Sequence, residues 1–459
     1  MILTGFTGPI KNEAYSTDSF NFLNQNAHND LANFAEINLI ENGSRGPRER
    51  WQKSQVINLI QFAHAKSHFW RNRLESKISS SDPLIDLDVL SRYDVNTQVA
   101  QEGELCPKEF LASVDSYASS GSTGIPVKTY SMQQNARYNE IRSLAQYYIE
   151  GRSLNFNRTF IKPSDGNLAL NSTREAFVKV NSSWIGSLTD IFQHGHHKTI
   201  QYTNNPDRLI NELLKDEVGY LACLGSHMDI LIKEGGEDLI KKLGVELWLH
   251  HSDNFDPNHR LLLERCAVPI RSSYSCAELG PIAVECSKNA GFYHVTHTNV
   301  IVEAAKDDSI QLGTERLNKI LVTHLHSFAT PLIRYDVGDY ASFHNICPCG
   351  HDGNTLSNIF GRKKYFLKAL DGEMIPFPIF SKPLLDLINF KEFFIYQPDR
   401  KNIILELGGV SNISTEQGEN LVNFIKTLSQ GKFNITITTV PKIDWSKNPK
   451  NLPFISYAS

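Results

Sequence analysis

The stretch SSGSTGIPVK, residues 119–128, gathers Ser119, Ser120, Ser122 and Thr123 around Gly121 and Gly124 and ends on Lys128. Hydroxyl groups and backbone N–H groups can together wrap phosphate oxygens, and glycine permits the close backbone approach this needs. The spacing is not that of the Walker loop. Gly121 and Gly124 enclose only Ser122 and Thr123, and Ile125 takes the place of a lysine. A loop of this kind that grips a triphosphate does so by another design. Two carboxylates lie at turn-like places further on: Glu278 in SSYSCAELGP, after the strand pattern VPIR, and Asp339 beside Gly338 in PLIRYDVGDYASF. Cys347 and Cys349, in CPCG, are too close to pair comfortably with each other and suit a metal-binding turn.

Regular elements must hold these residues, and their patterns are present. KEFLASVDSYAS reads as a strand entering the glycine loop and VKTY as a short strand leaving it. A helix is expected from Ser131, with Ser131 and Gln134 as a capping pair and Ile141, Leu144, Ala145, Tyr148 and Ile149 as its apolar face. Val56, Leu59, Ile60 and Ala63 recur at helical spacing within residues 51–74. Between residues 158 and 276 short apolar runs such as VGYLACLGS and VELWLH alternate with helical patterns, which calls for α/β layers around a largely parallel sheet. Residues 292–345 read as mostly β, and from Lys364 onward the pattern is small α+β. The expected fold class is α/β: a large N-terminal α/β domain with mixed sheets over 1–363, and a small mobile α+β domain over 364–459. Residues 1–50, rich in Asn, Ser and Gly, read as irregular.

A chain of 459 residues exceeds the roughly 150 typical of one domain, and 25 Phe with 16 Tyr supply large cores. The net charge of -4 and the lack of a long basic run argue against nucleic-acid or membrane-surface partners. No run approaches the ~18 apolar residues of a bilayer span, and the N-terminal stretch lacks a signal-peptide pattern. Seven cysteines, an odd number, fit reduced thiols in a cytoplasmic protein, some of them on metal.

In this order, SSGSTGIPVK, SSYSCAELGP, PLIRYDVGDYASF and IFGRKK resemble the signature motifs of the adenylate-forming superfamily of acyl-CoA synthetases and adenylation domains. Within that superfamily the sequence resembles the phenylacetate–CoA ligase branch and its capsule-biosynthesis and acyl-protein-synthetase relatives. The resemblance covers roughly residues 50 to 370. It implies ATP-dependent activation of a carboxylic acid to an acyl-adenylate with release of pyrophosphate, then acyl transfer, with CoA as the acceptor. Other acceptors in the superfamily are an amine, a carrier protein or a protein cysteine, and a catalytically silent nucleotide-binding relative is the contrasting class. The residues of the 119–124 loop and Lys128 would hold the β- and γ-phosphates, Glu278 would hold Mg²⁺, and Tyr274 would stack on adenine. Asp339 would accept both ribose hydroxyls, since an ionised carboxylate only accepts, with Arg362 behind it. Trp184, Phe192, His227 and Trp248 are candidate pocket positions that favour an aromatic acid.

The match has departures. Ser275 and Ala277 stand where glycine and threonine are usual, Val337 replaces the threonine before Gly338–Asp339, and Ser252–Asp253 replaces a glycine–glutamate pair. Each loss removes a hydrogen bond worth about 1 kcal/mol. The resemblance also implies a structural zinc clip built from Cys286, His294, Cys347 and Cys349, three thiolates and one imidazole that leave no open position; His351 is the spare ligand. HGHH at 194–197 lies in a polar loop without a carboxylate or thiol nearby and is expected to face the acyl pocket rather than a metal.

Near the C-terminus Lys450, in SKNPKNLPFIS, matches the superfamily lysine that bridges the acid carboxylate and the α-phosphate, with Lys447 as fallback. Lys450→Ala is expected to abolish acyl-adenylate formation and spare ATP binding, because its charge acts where negative charge builds in the transition state. Conversion of a supplied acyl-adenylate to thioester is expected to survive. Full adenylation by Lys450→Ala with loss in Lys447→Ala would move the register by three residues.

Overall fold

Residues 25–50, expected to be irregular, are mostly helical in the computed structural model. Helix α1 (Gln25–Glu41) buries Ala27, Asp30, Phe34 and Ile37, spaced three and four apart. Asp30 interrupts the apolar stripe, which hid the helix from a periodicity reading; its carboxylate is paired with Arg137. The described residues are 25–74, 84, 87–100, 105, 114–118, 127–163, 173–185, 188–189, 192–203, 205–251, 257–312, 315–361, 366–377, 384–444 and 454–458.

The expected helix over 51–74 is two helices, α2 (Arg45–Lys66) and α3 (His68–Leu74), broken where Ser67 turns extended at φ -103 and ψ 124. Val56, Leu59, Ile60 and Ala63 form the buried stripe of α2. Helix α4 (Arg92–Ala100) starts from a reciprocal cap: Ser91 Oγ accepts from the Asp94 N–H at 3.0 Å, and the Asp94 carboxylate accepts from the Ser91 N–H at 2.8 Å. Helix α5 (Gln133–Ile149) buries Ile141, Leu144 and Ala145 as expected, with Tyr147 rather than Tyr148 completing the buried face. Its cap differs from expectation. Ser131 remains in the preceding strand, Met132 is the N-cap residue, and no side chain caps the helix.

The strands flanking the glycine loop, β1 (Val114–Ala118) and β2 (Lys128–Met132), pair antiparallel as a hairpin. A twelve-stranded sheet follows from β3 (Arg158–Pro163), β4 (Val178–Asn181), β5 (His197–Tyr202), β6 (Tyr220–Leu224), β7 (Leu247–His251) and β8 (Ile270–Cys276). It continues through β9 (Gly280–Glu285), β10 (Phe292–Val295), β11 (Val300–Leu312), β12 (Glu315–His324), β13 (Tyr335–His344) and β14 (Thr355–Phe360). The spatial order is β11-β12-β13-β14-β10-β9-β8-β7-β6-β3-β5-β4. β5, β3, β6, β7 and β8 run parallel, so the expected parallel layer is present; from β8 to β11 every pairing is antiparallel. Helices at 225–243 and 257–265 cover the parallel half around Trp248, Leu231, Leu239 and Ile240.

A separate four-stranded sheet is built from 392–397, 402–408, 434–440 and 454–456, with helix 415–428 packed through Leu421 and Ile425. Ser414 and Gln417 form the capping box of that helix. The short hairpin of 366–368 and 374–376 places Phe366 and Met374 against Ile310, Leu317 and Tyr340 of the large sheet.

Candidate active site

Strand β8 carries Tyr274 and runs into a turn that ends at Gly280, where φ is +67. Glu278 sits in that turn with a side chain only 3% exposed. A carboxylate this deep needs compensation, and it has it: Arg92 donates to Glu278 Oε1 at 2.5 Å, and Tyr335 Oη donates to the same oxygen at 3.4 Å. Burial, reinforced by Glu278, pushes the Tyr335 phenol up and keeps it a donor. Burial also raises the Cys276 thiol well above its ordinary value, again with Glu278 beside it. Arg92 reaches this place because Leu90 bridges β13: the Leu90 N–H donates to the Arg334 carbonyl, and the Asp336 N–H donates to the Leu90 carbonyl, each at 3.0 Å. No motif in the sequence singles out Arg92. Its one signal is Ser91 and Asp94 three apart, the cap that fixes the start of α4.

Asp339 was expected in a turn that ends a strand. It lies inside β13, at a bulge: Lys319 faces Tyr340, but Leu321 faces Asp336. Gly338 makes the bulge possible with φ +88, and its N–H donates to Asp336 Oδ1 at 2.8 Å. The bulge brings Asp339 to Tyr274, whose Oη donates to Asp339 Oδ2 at 2.8 Å. Two motifs 65 residues apart in the chain are thus joined by one hydrogen bond. Lys128 is exposed at the start of β2, with Nζ 5.0 Å from the centre of the Tyr130 ring. Ser119, Ser120, Gly121, Ser122, Thr123, Gly124, Ser252, Asp253, Arg362, Lys364, Lys447 and Lys450 lie outside the described residues.

Glu278 also lines a cavity of about 160 Å³ between β2, α5, the turn before Gly280 and the segment from His324 to Leu332. The aromatic candidates do not line it. Trp248 is buried, with its indole N–H 3.0 Å from Cys223 Sγ; Trp184 packs on Tyr147 and Tyr220; Phe192 packs on Phe34. His227 lies edge-on to Tyr202.

At the other end of β9, Cys286, His294, Cys347 and Cys349 converge, their four ligand atoms all within 4.8 Å of one another. Pairing of β10 with both β9 and β14 sets His294 between the Cys286 corner and the 345–354 loop. The Gly350 N–H closes the CPCG turn on the Cys347 carbonyl at 2.8 Å, and Gly350 has φ +91. Thiolate-type hydrogen bonds are already in place, from the Lys288 N–H to Cys286 Sγ and from the His351 N–H to Cys349 Sγ, both at 3.4 Å. Burial pushes Cys347 up to about 12; at Cys286 burial is outweighed by hydrogen bonds from Lys288 and Asn289, which hold that thiol low. Burial, with His297 beside it, also lowers His294. His351 is not a fifth member: it stacks on His294 with ring centres 4.2 Å apart. His194 and His197 are likewise outside the cluster.

No protein-family model matches the sequence, and no curated relative matches it. Solved structures do. The architecture is that of the adenylate-forming ligases. The chain resembles 2-hydroxyisobutyryl-CoA ligase in its postadenylation state, with TM-score 0.67 over 91% of each chain at 14% identity. It resembles the open form of the same ligase, in complex with 2-HIB-AMP and CoA, with TM-score 0.55 over 88% of this chain and 90% of that one, again at 14% identity. At this identity the likeness shows the fold.

The Arg92–Glu278 pair has a measurable cost of disruption. Arg92→Leu is expected to destabilise the protein by about 2 kcal/mol, below the ~3–5 kcal/mol of a wholly buried pair because Arg92 keeps some solvent. The double variant Arg92→Leu/Glu278→Leu is expected to regain most of that loss. Equal unfolding midpoints for wild type and Arg92→Leu would show that the pair carries no weight.

Proposed function

We propose that the protein is an ATP-dependent ligase that activates a small carboxylic acid as its acyl-adenylate and passes the acyl group to CoA. The observation that carries this reading is the convergence of Tyr274, Glu278 and Asp339 at the end of β8, in the fold of the adenylate-forming ligases. In the first step a carboxylate oxygen attacks the α-phosphorus of ATP, the bond to the bridging oxygen breaks, and pyrophosphate leaves. In the second a thiol sulfur attacks the acyl carbonyl, AMP leaves, and the thiol proton is lost. Tyr274 offers its ring face to adenine, and Asp339 exchanges the Tyr274 hydroxyl for the ribose hydroxyls. Residues 119–124 and Lys128 hold the terminal phosphates, Arg362 supports the ribose, and Lys450 comes from a small domain over 364–459 that rotates about Lys364 between steps.

Glu278 is a carboxylate of the right chemistry for Mg²⁺, which takes one or two protein carboxylates and otherwise phosphate oxygens and water. Bound there, Mg²⁺ would neutralise charge on the phosphates. Because Arg92 already satisfies Oε1, we read the ion as arriving with the nucleotide. The same ion pair favours the second reading, a nucleotide-binding relative without catalysis, in which Arg92 keeps Glu278 permanently engaged. The Cys286, His294, Cys347 and Cys349 set has the chemistry of a structural zinc site, three thiolates and one imidazole, with the four ligand atoms within 4.8 Å of one another.

ATP–pyrophosphate exchange across a panel of acids, followed by thioester formation with CoA, tests the reading. Thr123→Ala and Glu278→Gln are each expected to lower exchange on the order of 10²-fold, as loss of one charge-stabilising group does. Unchanged exchange in both would remove the assignment of the nucleotide site, and ATP binding with no exchange for any acid would establish the silent reading. One zinc per chain is expected by elemental analysis, with a lowered melting temperature in Cys347→Ser. Protein purified without chelator and found free of zinc would count against the clip.

A further inference from the structure

Both partners of Glu278 converge on one carboxylate oxygen. Oε1 accepts from the Arg92 guanidinium at 2.5 Å and from the Tyr335 hydroxyl at 3.4 Å. Arg92 Nε donates in turn to Tyr335 Oη at 3.5 Å, so the three side chains are bonded in a ring. Burial works against the Arg92 charge, but Tyr335 and Glu278 outweigh it and raise its pKa. The Glu278 side chain is 3% exposed and that of Arg92 is 21% exposed, so the cation is the more accessible partner. Arg92 is also held from its own side. It opens α4, whose start is fixed by the Ser91–Asp94 cap, with Arg73 4.0 Å from Asp94. Helix α4 packs on β2, and Tyr130 and Ser131 of β2 line the same cavity as Glu278. Arg92 thus belongs to the element that joins the glycine-loop hairpin to the Glu278 turn.

A divalent ion that binds Oε1 has to take the place of Arg92. A bare Mg²⁺ ion would have to shed water, which it does reluctantly. It would also leave excess positive charge beside Arg92, in a place that solvent barely reaches. An ion that comes bound to phosphates brings the missing negative charge with it. Phosphate oxygens are also the partners that suit an arginine fork released from a carboxylate.

We propose that Arg92 makes Glu278 selective for a metal–nucleotide complex over the free metal ion: it occupies Oε1 until the ion arrives with phosphates, and then exchanges the carboxylate for a phosphate oxygen. The proposal rests on the nucleotide site of the reading above and deepens it. Arg92 is the specificity-determining residue of that site, and Tyr335 keeps Glu278 Oε1 in place through the exchange.

The test is titration of Mn²⁺, as a paramagnetic substitute for Mg²⁺, into the full-length protein without nucleotide or acid, followed by electron paramagnetic resonance. Arg92→Gln is expected to bind Mn²⁺ about tenfold or more tightly than wild type, because a like charge beside the ion has been removed. The double variant Arg92→Gln/Glu278→Gln is expected to lose that gain, and Arg92→Lys, which keeps the charge, to stay close to wild type. Asp94→Ala, which loosens the α4 cap and leaves the pair itself intact, is expected to shift affinity in the same direction by a smaller factor. It carries the test if the melting temperature shows that Arg92→Gln does not fold. In wild type, Mg²⁺ with ATP is expected to raise the melting temperature and Mg²⁺ alone to leave it unchanged. Equal Mn²⁺ affinity in wild type, Arg92→Gln and Asp94→Ala, or a gain that survives Glu278→Gln, overturns the proposal and leaves acid activation standing. So does Arg92→Lys binding as tightly as Arg92→Gln. The expected Mn²⁺ pattern without ATP–pyrophosphate exchange for any acid supports the role of Arg92 and removes acid activation. Failure of Mg²⁺ with ATP to bind at all overturns the proposal.

Discussion

Strand β8 is the hinge of the architecture: it pairs parallel to β7 on one side and antiparallel to β9 on the other. The parallel half of the sheet needs helical crossovers, which cover its faces. The antiparallel half needs only tight turns, so its strands can bring distant motifs to one edge. At the junction the chain leaves β8 through a turn that ends at Gly280, and Glu278 lies in that turn because no crossover intervenes. The bulge at Gly338 then moves Asp339 toward Tyr274 on β8. Without the change of strand direction at β8, the two motifs would have no common edge.

Buried charge elsewhere follows the same rule as at Glu278. Glu212, with a side chain 1% exposed, is opposed by burial and yet held down to about 2 by Arg174, Lys215 and Lys198. This carboxylate is depressed below its unfolded value, so its contribution is complete above the ordinary carboxylate range and is lost as pH falls toward 2. Glu41 is lowered too: burial opposes, but His297 and Thr298 outweigh it. In each case a cation or a set of donors comes from a different element, so the ion pairs also fix how elements meet.

Much of the fold was legible because its signals are local. Short apolar runs alternating with helical patterns located the parallel layer after residue 158, the strands on either side of the glycine loop and the small α+β character of the C-terminal region. The cysteine set was legible through a resemblance, and its four members do converge. Three features were hidden for physical reasons. Asp30 breaks the stripe of α1, but its buried carboxylate is neutralised by Arg137, 107 residues away. Ser131 has the chemistry of an N-cap, yet pairing with Asp115 on β1 holds it in β2. Arg92 matters through Leu90's bridge to Tyr335, a contact across the chain that no local pattern announces.

The cysteine cluster and the Glu278 turn are joined by a continuous set of polar contacts. From His294 the chain passes directly into residues 296–299. Thr296 Oγ1 donates to the Ile282 carbonyl at 2.7 Å, and Asn299 Nδ2 donates to the carbonyls of Leu279 and Pro281 at 3.0 and 2.7 Å. Those carbonyls lie just C-terminal to Glu278 in the chain. On the other side, Thr298 is held by Glu41 of α1, and Arg48 of α2 packs on His297 and donates to the Asp352 carbonyl at 2.9 Å. Gly353 leaves the room for this, since a Cβ there would come within 2.3 Å of Arg48 Nη1. The 296–299 turn, which follows His294 in the chain, thus links the cysteine cluster to the backbone beside Glu278 through the hydrogen bonds of Thr296 and Asn299.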